Sequence, residues 1–154
     1  MLEVENLSKT YYSGFWNNLK IDAVKNISFK VNEGDIFGLI GGSGCGKTTA
    51  SRMIAGFLKP SSGRILFENQ DVVSLKRKEW FPLRKKMQMV FQNPHMTFNP
   101  RFTIYQCCAE PIRVFHLAEN KEEEYERVCE MLDHIGVPRD QMKKYPHEIS
   151  GGQA

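Results

Sequence analysis

Four glycines fall within the six positions Gly41-Gly42-Ser43-Gly44-Cys45-Gly46, and Lys47-Thr48-Thr49 follows at once. The apolar run Ile36-Phe37-Gly38-Leu39-Ile40 leads in, short enough for one buried strand, and a helix-like segment leads out. Gly41, Gly46, Lys47 and Thr48 satisfy G-x-x-x-x-G-K-[ST]. Glycines let successive backbone N–H groups curl around a phosphate without Cβ clashes, at a helix start that favours negative charge. Lys47 would reach the β- and γ-phosphates, and the Thr48 hydroxyl would take a place on Mg²⁺. The loop alone specifies a nucleotide and leaves the reaction open.

The 154 residues are enough for one modest domain with a single core. Hydrophobic content of 41% and charged content of 25% are ordinary for a globular chain. A net charge of +3 is too weak to argue for nucleic acid. No apolar run approaches a membrane span, and the acidic, polar start does not read as a signal peptide. Cys45, Cys107, Cys108 and Cys129 form no C-x-x-C pair, so reduced thiols are expected.

Along the chain, Leu2 to Tyr12 reads as a strand, and Ser13 to Asp22 as a surface loop carrying Phe15 and Trp16. Val24 to Val31 places Ile27, Phe29 and Val31 on one side of a half-buried strand. Asn32 to Asp35 turns into the strand Ile36 to Ile40. Thr48 to Leu58 reads as a helix, stopped by Lys59-Pro60-Ser61-Ser62-Gly63, and Arg64 to Phe67 as a short strand. Lys76 to Lys86 carries six basic residues around Trp80 and Phe81, read as a solvated helix face. Met87 to Gln92 is a strand ending in an amide. Thr103 to Phe115 is helical with an irregularity at Pro111. Asn120 caps an amphipathic helix, with Glu123 completing a capping box. Tyr125, Val128, Cys129, Leu132 and Ile135 line one face of that helix, and Gly136 and Pro138 stop it.

The last residues narrow the reading. Ile149-Ser150-Gly151-Gly152-Gln153 resembles the L-S-G-G-Q signature of ATP-binding-cassette (ABC) ATPases, 103 positions after Lys47 as in transporter ATPases. Leu7 to Tyr11 resembles the family stretch whose aromatic stacks on adenine, which implies Tyr11, with Tyr12 as runner-up. Val90-Phe91-Gln92 matches the family's Q-loop, whose glutamine touches Mg²⁺ and the attacking water. The resemblance thus implies ATP and Mg²⁺, with Gly41, Gly42, Ser43, Gly44, Cys45, Gly46, Lys47, Thr48 and Thr49 around the phosphates. Thr48 and Gln92 would sit at the metal. Lys47 and Gln92 would act in catalysis. Ser150, Gly151, Gly152 and Gln153 would serve nucleotide on a second ABC subunit, packed head-to-tail.

The implied fold is α/β, a P-loop NTPase of ABC type. Residues 1–92 would form the nucleotide-binding core, with an antiparallel subdomain and a parallel sheet. Residues 93–149 would form the helical subdomain, and 150–154 the start of the signature helix. Gly41 to Lys47, Phe91 to Arg101 and Tyr145 to Gln153 look like the peptide/nickel importer branch. That implies permease partners, indirectly a substrate-binding protein, no nucleic acid, and a place on the cytoplasmic face of the membrane. The family's Walker B strand, catalytic glutamate and switch histidine are not among the 154 residues; His147 precedes the signature. The chain alone is therefore expected to lack turnover, and the sheet to show an open gap beside Ile36 to Ile40. A nucleotide-binding fragment or remnant without turnover is the alternative. A kinase or GTPase sharing only the loop is disfavoured by the signature and by the lack of N-K-x-D.

Overall fold

The computed structural model describes residues 1–13, 19–93 and 97–150. Phe15 and Trp16, the Pro94-His95-Met96 part of the Phe91 to Arg101 run, and Gly151 to Ala154 lie outside the described residues. The chain divides into two compact units, Met1–Met89 and Val90–Ala154.

The first unit is built on a four-stranded antiparallel sheet in the order β2-β1-β3-β4. Its strands are β1 (Leu2–Ser13), β2 (Leu19–Val31), β3 (Ser62–Phe67) and β4 (Gln70–Asp71). β1 is central, pairing Val4 with Phe29 of β2 on one side and with Ile65 of β3 on the other. Val4, Leu7, Val24 and Ile65 leave the sheet on its buried face. They meet Ala50 and Met53 of α1 (Lys47–Ile54), together with Val72 and Leu83. Full burial of side chains of this size supplies about 1.5–3 kcal/mol each, before conformational entropy is set against it.

Three local expectations change. β2 begins at Leu19, so the second half of the expected surface loop is strand, paired Ser13 to Leu19 through Thr10 to Asp22. α1 stops at Ile54 rather than Leu58, because the Phe57 and Leu58 N–H groups turn back onto the Arg52 carbonyl. Ile36 to Ile40 and Met87 to Phe91 join no strand ladder among the described residues. Ile36 and Ile40 are fully exposed, while Phe37 is held by its ring on Phe29, 4.7 Å between centroids. A buried apolar run needs a neighbour on each side, and neither segment has one here. The expected parallel sheet is therefore not seen among the described residues, whose one sheet is antiparallel throughout.

The second unit is helical. α3 (Ile104–Val114) starts on Thr103, whose hydroxyl accepts the Gln106 N–H while the Gln106 side chain accepts the Thr103 N–H. It runs unbroken through Pro111, without the expected irregularity. α4 (Lys121–His134) is capped by Asn120, which accepts the Glu123 N–H at 2.9 Å. The Glu123 carboxylate reaches back one residue further than a capping box, to the Glu119 N–H. Val128, Cys129 and Leu132 pack with Ala109 and Ile112 of α3, but Tyr125 and Ile135, expected on the same face, are exposed.

Glu124 takes a place in that interface, only 7% exposed. Both its oxygens accept from Arg113, and Oε1 also accepts from the Tyr105 hydroxyl at 2.8 Å. The Arg113 bonds hold its pKa at about 2 against the opposing effect of burial, with Tyr105 helping. Burial, then the bond to Glu124, pushes the Tyr105 hydroxyl up.

Arg113→Ala should therefore destabilise this unit by about 1–3 kcal/mol, the cost of leaving a buried acceptor largely unpaired. Because the folded pKa lies below the unfolded one, near 4.5, the stabilisation is complete above that value. It is lost as pH falls toward 2. Urea unfolding followed across this range checks it: Glu124→Gln should flatten the acid slope, and an unchanged slope would refute the assignment.

Candidate phosphate-binding site

The loop between Gly41 and Lys47 is shaped by its own backbone. Gly44 and Gly46 take φ values of +77° and +96°, left-handed conformations that side-chain-bearing residues rarely adopt. The first helical bond of α1 runs from the Ala50 N–H to the Gly46 carbonyl. The N–H groups of Lys47, Thr48 and Thr49 thus point out of the helix start without intrahelical acceptors. The Lys47 ammonium folds into the loop, donating to the Gly41 and Gly42 carbonyls at 2.6 and 2.7 Å and lying 3.5 Å from Cys45 Sγ. Orphan N–H groups, a helix dipole and one lysine converge on a space suited to an anion.

A recess of about 430 Å³ extends from this loop along β2. One wall is Asp22 to Lys25, and the other is Leu39, Ile40 and Gly44 to Lys47. Asp22 accepts from the Thr10 hydroxyl at 2.7 Å, with Lys20 and Lys25 within 3.9 Å. The Thr10 bond, more than the two lysines, keeps its carboxyl below the usual range.

Tyr11 is partly exposed and pairs across the hairpin with Ile21, one residue before the recess begins; Lys9 Nζ lies 5.4 Å from its ring centre. Tyr12, opposite Lys20, is more exposed. Neither tyrosine lines the recess. Ser43 and Thr48 are exposed, and Thr49 is half-buried. Gln92 belongs to the second unit, exposed, as is Ser150. Gly151, Gly152 and Gln153 lie outside the described residues. Among the described residues no His, Cys, Asp or Glu cluster could hold a metal ion. The oxygen donors toward Mg²⁺ named from the sequence are therefore a hydroxyl, Thr48, and an amide, Gln92. The β2 wall from Asp22 to Lys25 was missed in the sequence, because it depends on how a strand bends.

The loop makes a chemical distinction among the thiols. Cys45 is exposed, Cys129 is buried, and burial pushes the thiols of Cys107 and Cys108 up. With a maleimide, Cys45 should label first, and ATP should shield it sterically. Equal labelling of all four, unchanged by ATP, would count against the loop as a nucleotide site.

The family profile described as ABC transporter matches residues 24–154. The chain belongs to the ABC transporter family. Among curated relatives of this ABC chain, the oligopeptide transport ATP-binding protein OppF of Streptococcus mutans is 41% identical over 153 residues, 99% of this chain and 49% of its own. OppF of Escherichia coli is 38% identical over 140 residues, 90% of this chain and 42% of its own. The chain thus spans about half the length of the curated relatives it matches. Among solved structures, the dimeric post-hydrolysis state of the ATP-binding cassette MJ0796, bound to ADP and Pi, superposes with a TM-score of 0.87. It is 29% identical and is matched over 99% of this chain and 65% of its own. CbiO1 of Clostridium perfringens, part of the transporter complex cbiONQ, gives 0.74 at 32% identity over 99% of this chain and 56% of its own. The fold is that of the ABC cassettes, here as a partial domain.

Proposed function

We propose that this chain is the nucleotide-binding part of an ATPase subunit that drives import of oligopeptides. The observation that carries the reading is the loop itself, which brings the Lys47 ammonium and the N–H groups without intrahelical acceptors at the start of α1 to one end of the recess. In this reading Gly41 to Thr49 hold the phosphates of ATP, and Tyr11 lies against the base. Thr48 and Gln92 are the residues that would hold Mg²⁺, which would supply a Lewis acid at the phosphates. Lys47 neutralises charge on the transferred phosphoryl group, and Gln92 orients water. Ser150, Gly151, Gly152 and Gln153 serve the nucleotide of a second cassette.

That the relatives are oligopeptide transport proteins favours peptides over nickel. No helix among the described residues is long and apolar enough to cross a membrane, which fits a subunit that works through permease partners at the cytoplasmic face. Nucleotide binding without turnover is the second reading for the 154 residues by themselves.

Titration with a fluorescent ATP analogue tests the proposal. The chain should bind it in a Mg²⁺-dependent way, and Lys47→Ala should weaken binding by roughly tenfold or more, as loss of a charge-assisted bond of about 1.5–3 kcal/mol requires. Binding indifferent to Lys47→Ala would overturn it. Phosphate release by the same sample separates turnover from binding alone.

A further inference from the structure

The basic run after β4 folds into something more specific than a solvated face. α2 (Arg77–Leu83) lies beside the end of α1, and between them runs a groove of about 670 Å³. Its floor is apolar, with Met53 and Val72 buried and Trp80 half-buried. Four cations line it, Lys59, Lys76, Arg77 and Arg84, and no carboxylate does. Glu79, the acid within the run, is turned back onto the Lys76 N–H at 2.6 Å. Lys59, Lys76 and Arg77 are exposed. Arg84 lies over the rings of Phe57 and Trp80, 4.6 and 5.4 Å from their centres.

We propose that this groove receives an acidic segment of a partner protein, with aliphatic side chains on the floor and carboxylates on the Lys59–Lys76–Arg77 rim. Charge complementarity carries the choice, since an all-cation rim around an apolar floor matches alternating acidic and aliphatic residues. Single-stranded nucleic acid fits less well, because it needs a succession of open aromatic faces for its bases, and of the two aromatic residues lining the groove only Phe81 is well exposed. Trp80 is already covered: Arg84 lies over it, and a Cβ on Gly56 would sit 2.5 Å from its Cζ2. A concave site of this volume is also ill-matched to a flat lipid surface. Nothing in this assignment depends on the phosphate loop.

The test titrates the purified chain with a labelled peptide of alternating glutamate and leucine. Comparators are a lysine–leucine peptide, oligo-dT and phosphatidylglycerol vesicles. The acidic peptide should bind most tightly. Lys76→Glu with Arg77→Glu should lower its affinity by roughly tenfold, about 1.4 kcal/mol. The charge-matched pair Lys20→Glu with Lys30→Glu, both on β2 and neither lining the groove, should leave it unchanged. Circular dichroism identical to the parent shows that the reversal variant is folded; if it is not, Lys59→Glu carries the same comparison. Absent binding, equal loss in both charge-reversed pairs, or tighter binding of oligo-dT or vesicles would overturn the proposal.

Discussion

Gly46→Ala should cost the chain its nucleotide affinity, by roughly a hundredfold or more. Two effects combine. At φ +96° any side-chain-bearing residue is strained by about 1–2 kcal/mol. A Cβ there would also lie 2.2 Å from the Ala23 carbonyl oxygen and 3.1 Å from Val24 Cγ2. The first contact is with backbone, which cannot swing aside like a side-chain tip, so the loop must move. Losing even two charge-assisted bonds from the displaced N–H groups, at about 1.5–3 kcal/mol each, reaches the stated factor. Gly42→Ala is the internal control, since a Cβ there meets nothing within 4 Å. Equilibrium dialysis with ATP should separate the two variants clearly, and equal affinities would show that the loop is not braced by β2.

The second large effect is on stability. Gly63 in β3 lies at φ +93°, and a Cβ would fall 2.5 Å from the Asn6 carbonyl oxygen and 2.6 Å from Leu7 Cα. Those atoms belong to the central strand, and Leu7 is fully buried. Gly63→Ala should destabilise the sheet by about 2–5 kcal/mol, combining backbone strain with overpacking against an unyielding neighbour. Gly34→Ala carries a similar φ, +82°, with open space around it, so it should show the strain alone, about 1–2 kcal/mol. Urea unfolding of both variants gives the steric part by difference. A Gly63 variant no worse than the Gly34 one would remove the close approach of β3 to β1 from the account.

What the sequence made legible follows from which forces are local. The phosphate loop and its following helix could be read because glycine spacing and a helix start are properties of consecutive residues. The Asn120 cap is legible for the same reason. Ile36 to Ile40 shows the limit: an apolar run announces that it wants burial, but says nothing about which strand will lie beside it. Glu124 shows another. Its burial depends on Arg113 and Tyr105, 11 and 19 positions away, and a periodicity of apolar residues is blind to a charge neutralised by packing. Tyr125 and Ile135 stay exposed because the buried face of α4 is Glu124, Val128, Cys129 and Leu132, and the ring of Tyr125 reaches Tyr105 only at the edge of that face. The basic run around Trp80 was legible as charge but not as a groove, since the floor comes from Met53 and Val72 outside it.

One irregularity in the sheet reaches further than its size. Lys9 pairs with Val24 and Thr10 with Asp22, so Ala23 is left over, an extra residue in β2 with no partner on β1. Its carbonyl faces Gly46. The adenine-side candidate Tyr11 sits two pairs from Leu19 in the same hairpin, beyond that spare residue. Deleting Ala23 would remove one of the three register shifts between β1 and β2, yet it would withdraw the oxygen against which the loop rests. The hairpin is therefore not an interchangeable module. Grafting a smoother, better-paired ribbon in its place would improve the sheet and unseat the loop, so that here imperfect pairing is itself the mechanical linkage between the hairpin and Gly46.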